Sequence, residues 1–112
     1  MRILFDQGTP APLRSFLRGH EVVTAHECGW GALQNGDLLR AAEAAGFGTL
    51  ITTDQNLGYQ QNLSERRLAI VVLLTTSWPL IRAHAPVVAE TVAKLMPKAY
   101  VELSFPPESG KR

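Results

Sequence analysis

The chain has 112 residues, 46% of them hydrophobic, a formal net charge of +1 and one cysteine, Cys28. This length holds one domain with a real core and not two, and the near-neutral charge argues against a strongly electrostatic nucleic-acid binder while leaving room for local basic patches. A single cysteine excludes an intrachain disulfide and a cysteine-rich zinc site; with no leader pattern and no apolar run of bilayer length, the expectation is a soluble cytoplasmic protein without a membrane segment.

Taken in order, Arg2 to Phe5 reads as a short apolar strand closed by Asp6-Gln7-Gly8-Thr9-Pro10. Thr9 can cap the helix that follows and Pro10 suits its first turn, with Leu13, Phe16 and Leu17 at core spacing up to Gly19. His20 to Ala25 is the second strand. His26 to Gly36, punctuated by Gly29-Trp30-Gly31 and Asn35-Gly36, reads as a loop riding over the active end.

The stretch from Asn35 to Leu57 organises the rest. Asn35 or Asp37 opens a helix whose Leu38, Leu39, Ala41, Ala42 and Ala45 form an apolar side, with Arg40 and Glu43 facing away. Gly46 suits the left-handed turn that ends it, a strand runs from about Phe47 to Thr52, and Asp54 follows that strand. Gly58 to Arg67 is polar, with Tyr59 and Leu63 as anchors of a weak helix. Leu68 to Leu74 is continuously apolar, as in strands covered on both faces. Ser77 caps a long helix to Met96, interrupted by Pro86 and stopped by Pro97. Tyr100 to Phe105 alternates like an edge strand of open direction, and residues 106–112 read as a disordered tail, so that one domain spans 1–105.

Strands alternating with helices predict a three-layer α/β/α sandwich with a mostly parallel five-stranded sheet in the order 2-1-3-4-5. Ligands of such sheets bind outside the carboxyl ends of the strands, at the switch point between strands one and three. Asp6 and Asp54 end those two strands, and Asp37 is brought towards the same end. Singly, each also reads as a helix cap or an Asx turn. Together, carboxylates a few ångströms apart repel unless a cation or proton compensates, and all-oxygen ligands without paired histidines or thiolates favour Mg²⁺ or Mn²⁺ over zinc.

The run from Asp37 to Asp54, D-LL-AA-A-G-LITTD, with the apolar Leu57 beyond it, resembles the carboxyl-terminal half of the PIN-domain motif, and the ILFD of strand one matches the family's first aspartate. The resemblance spans about residues 1 to 95 and is to the compact PIN-like subgroup. It implies a metal-dependent ribonuclease, with Asp6, Asp37 and Asp54 as metal ligands, an RNA substrate, and a toxin's cognate antitoxin as partner. Full-length PIN domains carry a further acid on a helix that this chain is too short to hold. Gln7 and Asn56 stand where compact relatives often have acids, and Glu27 is the one nearby substitute.

In that reading Asp6, Asp37, Asp54 and Asn56 carry the chemistry, with Asn56 orienting water; Thr52 and Thr53 can help, although β-branched residues at a strand end more often serve packing. Arg14, Arg18, Arg66 and Arg67 are candidates for phosphate contacts, and Trp30 and Tyr59 for base stacking. Trp30 reads more readily as core-edge cover. His20, His26 and His84 lack metal-ligand spacing, Cys28 lacks a base, and Ser64 and Ser77 sit in no nucleophile elbow. The helix from Ser77 to Met96 could serve a homodimer or the antitoxin, although covering the sheet is its more economical role. Two rivals are an inactive PIN-like module that binds RNA or protein, and a receiver domain using Asp54 with Thr75 or Thr76. The receiver is disfavoured because Lys98 precedes the last strand. A haloacid-dehalogenase-like phosphotransferase lacks its second aspartate after Asp6-Gln7.

Overall fold

The computed structural model describes residues 1–33, 35–57 and 66–105. Within them the strands are β1 (Arg2–Phe5), β2 (Glu21–Thr24), β3 (Thr49–Thr52), β4 (Ala69–Leu73) and β5 (Tyr100–Leu103). A 3-10 helix, Ala11–Phe16, follows β1, and the α-helices are α1 (Asn35–Ala44), α2 (Trp78–Ala83) and α3 (Ala85–Ala93). The sheet is the expected one, in the order β2-β1-β3-β4-β5. Every pairing is parallel, including β4 with β5, which fixes the direction that the sequence left open.

Burial explains why these segments are strands. Each residue of β3 and β4 is buried, as in strands covered on both faces, and β4 is apolar throughout. β5 alternates exposed with half-buried residues, as an edge strand does. Phe5, Ile51 and Val71 stand in register and so share one face. There they pack with Leu13 and Leu17 near the 3-10 helix and with Ile81, Ala85, Val88 and Val92 of α2 and α3. On the other face Leu4, Leu50 and Ile70 meet Leu38, Leu39 and Ala42 of α1.

The β1–β2 and β4–β5 connections thus cross the same face while moving towards opposite edges, so they have opposite hands, against the usual uniform handedness of such crossovers. Coverage supplies a reason: the 3-10 helix is short, and α2 and α3 fill the remainder of its face.

Local details differ from expectation where side chains find other partners. The segment after Pro10 forms only a 3-10 helix, without a side-chain cap, because the Thr9 hydroxyl is engaged at the end of the sheet. Phe16 lies 39% exposed rather than in the core, tilted against Trp78. Helix α1 begins two residues before Asp37, which falls within the first turn. It ends at Gly46, φ +86°, where the Phe47 N–H donates to the Ala42 carbonyl (3.0 Å) and the Gly46 N–H to that of Glu43 (3.1 Å). Glu43 does not simply face away: its carboxylate accepts the backbone N–H groups of Arg67 and Leu68 and ties α1 to the start of β4.

Ser77 caps α2 by accepting from the Leu80 N–H at 3.3 Å. The expected interruption falls at His84, and α3 restarts with Pro86 in its first turn, where a missing amide hydrogen costs no helical bond. No helix among the described residues is long and apolar enough to cross a membrane. The tail 106–112, Tyr59, Leu63, Ser64 and most of the weak helix read over Gly58 to Arg67 lie outside the described residues.

Candidate active site

β1 and β3 are neighbours at the centre of the sheet, and Asp6 directly follows the first while Asp54 stands two residues beyond the second. Both therefore emerge at the carboxyl edge, at the point where the strand order reverses. Asp6 is half-buried and held at both oxygens. Its Oδ1 accepts the Thr9 N–H at 3.1 Å and lies 2.7 Å from the Thr9 hydroxyl. That hydroxyl is also 2.8 Å from the Ile51 carbonyl, so its one proton is shared between two acceptors. Oδ2 accepts the hydroxyl proton of Thr52.

Thr52, 1% exposed, also accepts the backbone N–H of Asp54 at 3.0 Å. One hydroxyl thus links the two acidic turns, donating to the first and accepting from the second. Thr52 is therefore more than packing, and its position inside the strand end is what places it between the acids. Asp54 Oδ1 accepts the Asn56 N–H at 3.0 Å, closing an Asx turn that leaves the Asn56 side chain exposed.

Asp37 is arranged differently. It pairs with Arg40 one helical turn along, each side chain being 62% exposed. Among the described residues no three of the His, Cys, Asp and Glu side chains gather where they could hold a metal ion. The donors suit a hard cation in kind, being carboxylate, hydroxyl and amide oxygens, but the fold unites two carboxylates and leaves the third in a surface pair. Such exposed pairs stabilise a helix by only about 0.2–0.5 kcal/mol, little to set against a divalent ion.

Gly8 fits closely beneath these turns: a Cβ there would lie 2.4 Å from the Thr53 Oγ1 and 3.9 Å from Asp6 Oδ1. Gly8→Ala is expected to displace Thr53 and cost about 1–3 kcal/mol, as overpacking does; urea unfolding of the variant checks it, and an unchanged midpoint would contradict the close approach.

The loop after β2 is fastened to this edge from both sides. The Gln7 side-chain N–H donates to the Gly31 carbonyl at 2.7 Å, and Arg14 pairs with Glu27 at 3.1 Å. The substitute acid is therefore already engaged. The Thr24 backbone N–H and then the Arg14 guanidinium hold the Glu27 carboxyl below its usual 4.5. A lowered folded pKa stabilises the protein above the unfolded value, and that contribution is lost as pH falls through the folded one. Glu27→Gln is accordingly expected to lower Tm slightly at pH 7, with the difference from the parent vanishing on acidification below about 4.5. Tm measured from pH 7 to pH 3 checks this; a gap that persists in acid would show that the charge is not its source.

The other candidates separate by end of the sheet. Arg66 and Arg67 precede β4 and line a cleft of about 690 Å³ with Arg40, Glu43 and Phe47 at the amino edge, away from Asp6 and Asp54. Arg18 likewise precedes β2, and Lys98 precedes β5. Trp30 packs edge-on to Phe47, centroids 6.1 Å apart, beside the half-buried Cys28 on the α1 face, so it covers the core. His84 rests against Phe105 at 5.9 Å.

At the carboxyl edge a cleft of about 620 Å³ opens beside Asp6, on the face of the 3-10 helix. Thr9, Arg14, Thr24, His26 and Trp78 line it with Asp6. Trp78 is the residue that sequence reasoning missed. Its only signal was its place at the start of the helix after β4, which puts it at the same edge. Comparison of the chain with protein-family models, with curated proteins and with solved structures finds no match.

Proposed function

We propose that the chain is a metal-dependent ribonuclease of the compact PIN-like kind. The observation that carries the reading is the pair of carboxylates, Asp6 and Asp54, delivered by adjacent central strands to the switch point and linked through Thr52. The order ILFD, Asp37 and LITTD supports it from the sequence. Asp6, Asp37 and Asp54 would hold Mg²⁺ or Mn²⁺, which when bound supplies positive charge to polarise the phosphodiester and lower the pKa of water.

The chain's own groups set the geometry. Thr9 and Thr52 fix the Asp6 carboxylate, so that it does not have to be ordered when substrate arrives. Asp54, oriented by the Asn56 N–H through one oxygen, has its second oxygen to receive the proton of an attacking water. The exposed Asn56 amide can hydrogen-bond that water. Water adds to phosphorus, the ester P–O bond breaks, and the leaving oxygen takes up a proton.

The same reading makes the protein a cytoplasmic toxin with a cognate antitoxin, and α2 with α3 a candidate surface for it or for a homodimer. One alternative has a specific observation behind it: the Asp37–Arg40 pair favours an inactive PIN-like module that binds RNA or protein. The receiver reading is weaker, since Lys98 stands at the amino edge.

The test is cleavage of a mixed pool of single-stranded and structured RNAs by purified protein with Mn²⁺ or Mg²⁺, beside an EDTA control. Cutting that EDTA abolishes is the expected result. Well-folded protein that cuts nothing would remove the enzyme and leave the binding module.

A further inference from the structure

We propose that the cleft beside Asp6 seats one unpaired base of a single-stranded RNA, stacked on Trp78, with the adjoining phosphate towards Arg14. The proposal rests on the nuclease reading for the identity of the polymer, and on the cleft itself for the rest.

A volume of about 620 Å³ lies within the roughly 300–1,000 Å³ typical of small-ligand clefts. Its walls combine an aromatic side chain, the Arg14–Glu27 ion pair, the Asp6 carboxylate and short polar groups. The Trp78 indole is half-buried, packs against the core cluster and the Phe16 ring, centroids 6.2 Å apart at 58°, and is one of the residues lining the cleft.

Arg14 enters from the 3-10 helix, with Glu27 holding its guanidinium at 3.1 Å, and it keeps 39% of its side-chain surface exposed. A fixed, half-exposed guanidinium suits a phosphate oxygen. Thr24, His26 and Thr76 add hydroxyl and imidazole groups able to donate or accept at a base edge. Asp6 lines the same cleft, so a base stacked there brings a neighbouring phosphodiester to the carboxylate edge.

The aromatic wall selects for strandedness. In a duplex both faces of a base are covered by its neighbours, whereas an unpaired base can slide onto an indole without regard to sequence. Stacking of this kind is worth about 1–3 kcal/mol per base, which is about 5- to 150-fold in Kd.

The experiment uses fluorescein-labelled single-stranded RNA, its deoxy counterpart and the annealed RNA duplex, titrated by anisotropy in EDTA and again in Ca²⁺. The protein carries Trp30→Phe, which leaves Trp78 as the sole indole reporter. Saturable binding of single strands with quenching of Trp78, a weaker response to duplex, and a loss of about 5- to 150-fold in Trp78→Ala that Trp78→Phe largely restores are the expected results. Circular dichroism of both variants establishes that they fold. Binding without quenching, equal affinity of the Trp78→Ala and parent proteins, or no binding to any strand would overturn the proposal. Preference for the deoxy strand would transfer the site to single-stranded DNA and overturn the RNA assignment. The two readings fail separately: Trp78-dependent binding without metal-dependent cutting removes the nuclease alone, and cutting that Trp78→Ala leaves untouched removes the base site alone.

Discussion

Asp6→Asn is expected to reduce metal-dependent RNA cleavage by at least about 100-fold while the protein remains folded. Asparagine keeps the shape of the side chain and removes the charge. Groups that merely orient metal ligands cost about 10–100-fold when changed, so a ligand itself should reach or pass the upper figure. Structural cost is smaller. The asparagine carbonyl can still accept the Thr52 proton, and its NH₂ then faces the Thr9 N–H and hydroxyl. Thr9 can turn its proton wholly to the Ile51 carbonyl, and its N–H retains the Asp6 backbone carbonyl at 3.2 Å. A stability loss of about 1 kcal/mol follows from the poorer bonds. Asp54→Asn should lose cleavage to a similar degree, and the double variant should lose little more than either alone, because groups acting as a unit are not additive. Initial rates on one labelled RNA, with unfolding midpoints for each variant, check all three. A folded Asp6→Asn protein that cuts like the parent would show that the carboxylate only closes its turn.

Phe5→Ala should be the most damaging single change to the fold, at about 3–5 kcal/mol. Phe5 is fully buried, sits one residue before Asp6, and packs in the cluster that joins the 3-10 helix, β1, β3, β4, α2 and α3. Truncation there removes the apolar body of the ring and leaves a cavity among elements that cannot all close around it. Set against total stabilities of about 5–15 kcal/mol, the loss is a large share, and at a urea slope of about 1–3 kcal/mol/M it moves the midpoint by more than about 1 M. Equilibrium urea unfolding followed by far-UV circular dichroism measures it. A shift below about 0.5 M would mean that the sheet and its helices can repack without the ring.

The sheet was legible because its signals are intrinsic to short stretches. ILF and AIVVL are apolar throughout, TLIT is β-branched at three of its four positions, and the alternation of strand with helix leaves few orders for them. The break before Pro86 and the stop at Gly46 follow from backbone chemistry that any context respects. The positions of Asp6 and Asp54 at one edge came from the same logic. What could not be read were choices made by long-range partners. Nothing local says that the Thr9 hydroxyl will reach across to the Ile51 carbonyl or that Glu43 will turn back to the amides before β4, whereas the Asp37–Arg40 pair is one helical turn long and its spacing is local. Arg66 and Arg67 were misplaced for a related reason: an arginine's end of the sheet depends on whether it precedes or follows its strand, and a polar segment gave no firm boundary. Trp78 was overlooked because a tryptophan opening a helix has no periodicity to say which way it faces.

All four strand pairings are parallel, and the hydroxyl bond from Thr52 to Asp6 joins residues 46 positions apart. During synthesis β1 leaves the ribosome long before its central neighbour exists, and β2, which can pair with it earlier, gives it only one of its two partners. The acidic edge is therefore a late product of chain growth: a nascent chain that has not yet exposed Thr52 has no linked pair of carboxylates. Refolding should be correspondingly slow, in the millisecond-to-second range of topologies dominated by distant contacts, because loop closure must be met before the sheet rewards it. Under the proposed nuclease reading, that delay would keep the growing chain from acting on the message still being translated.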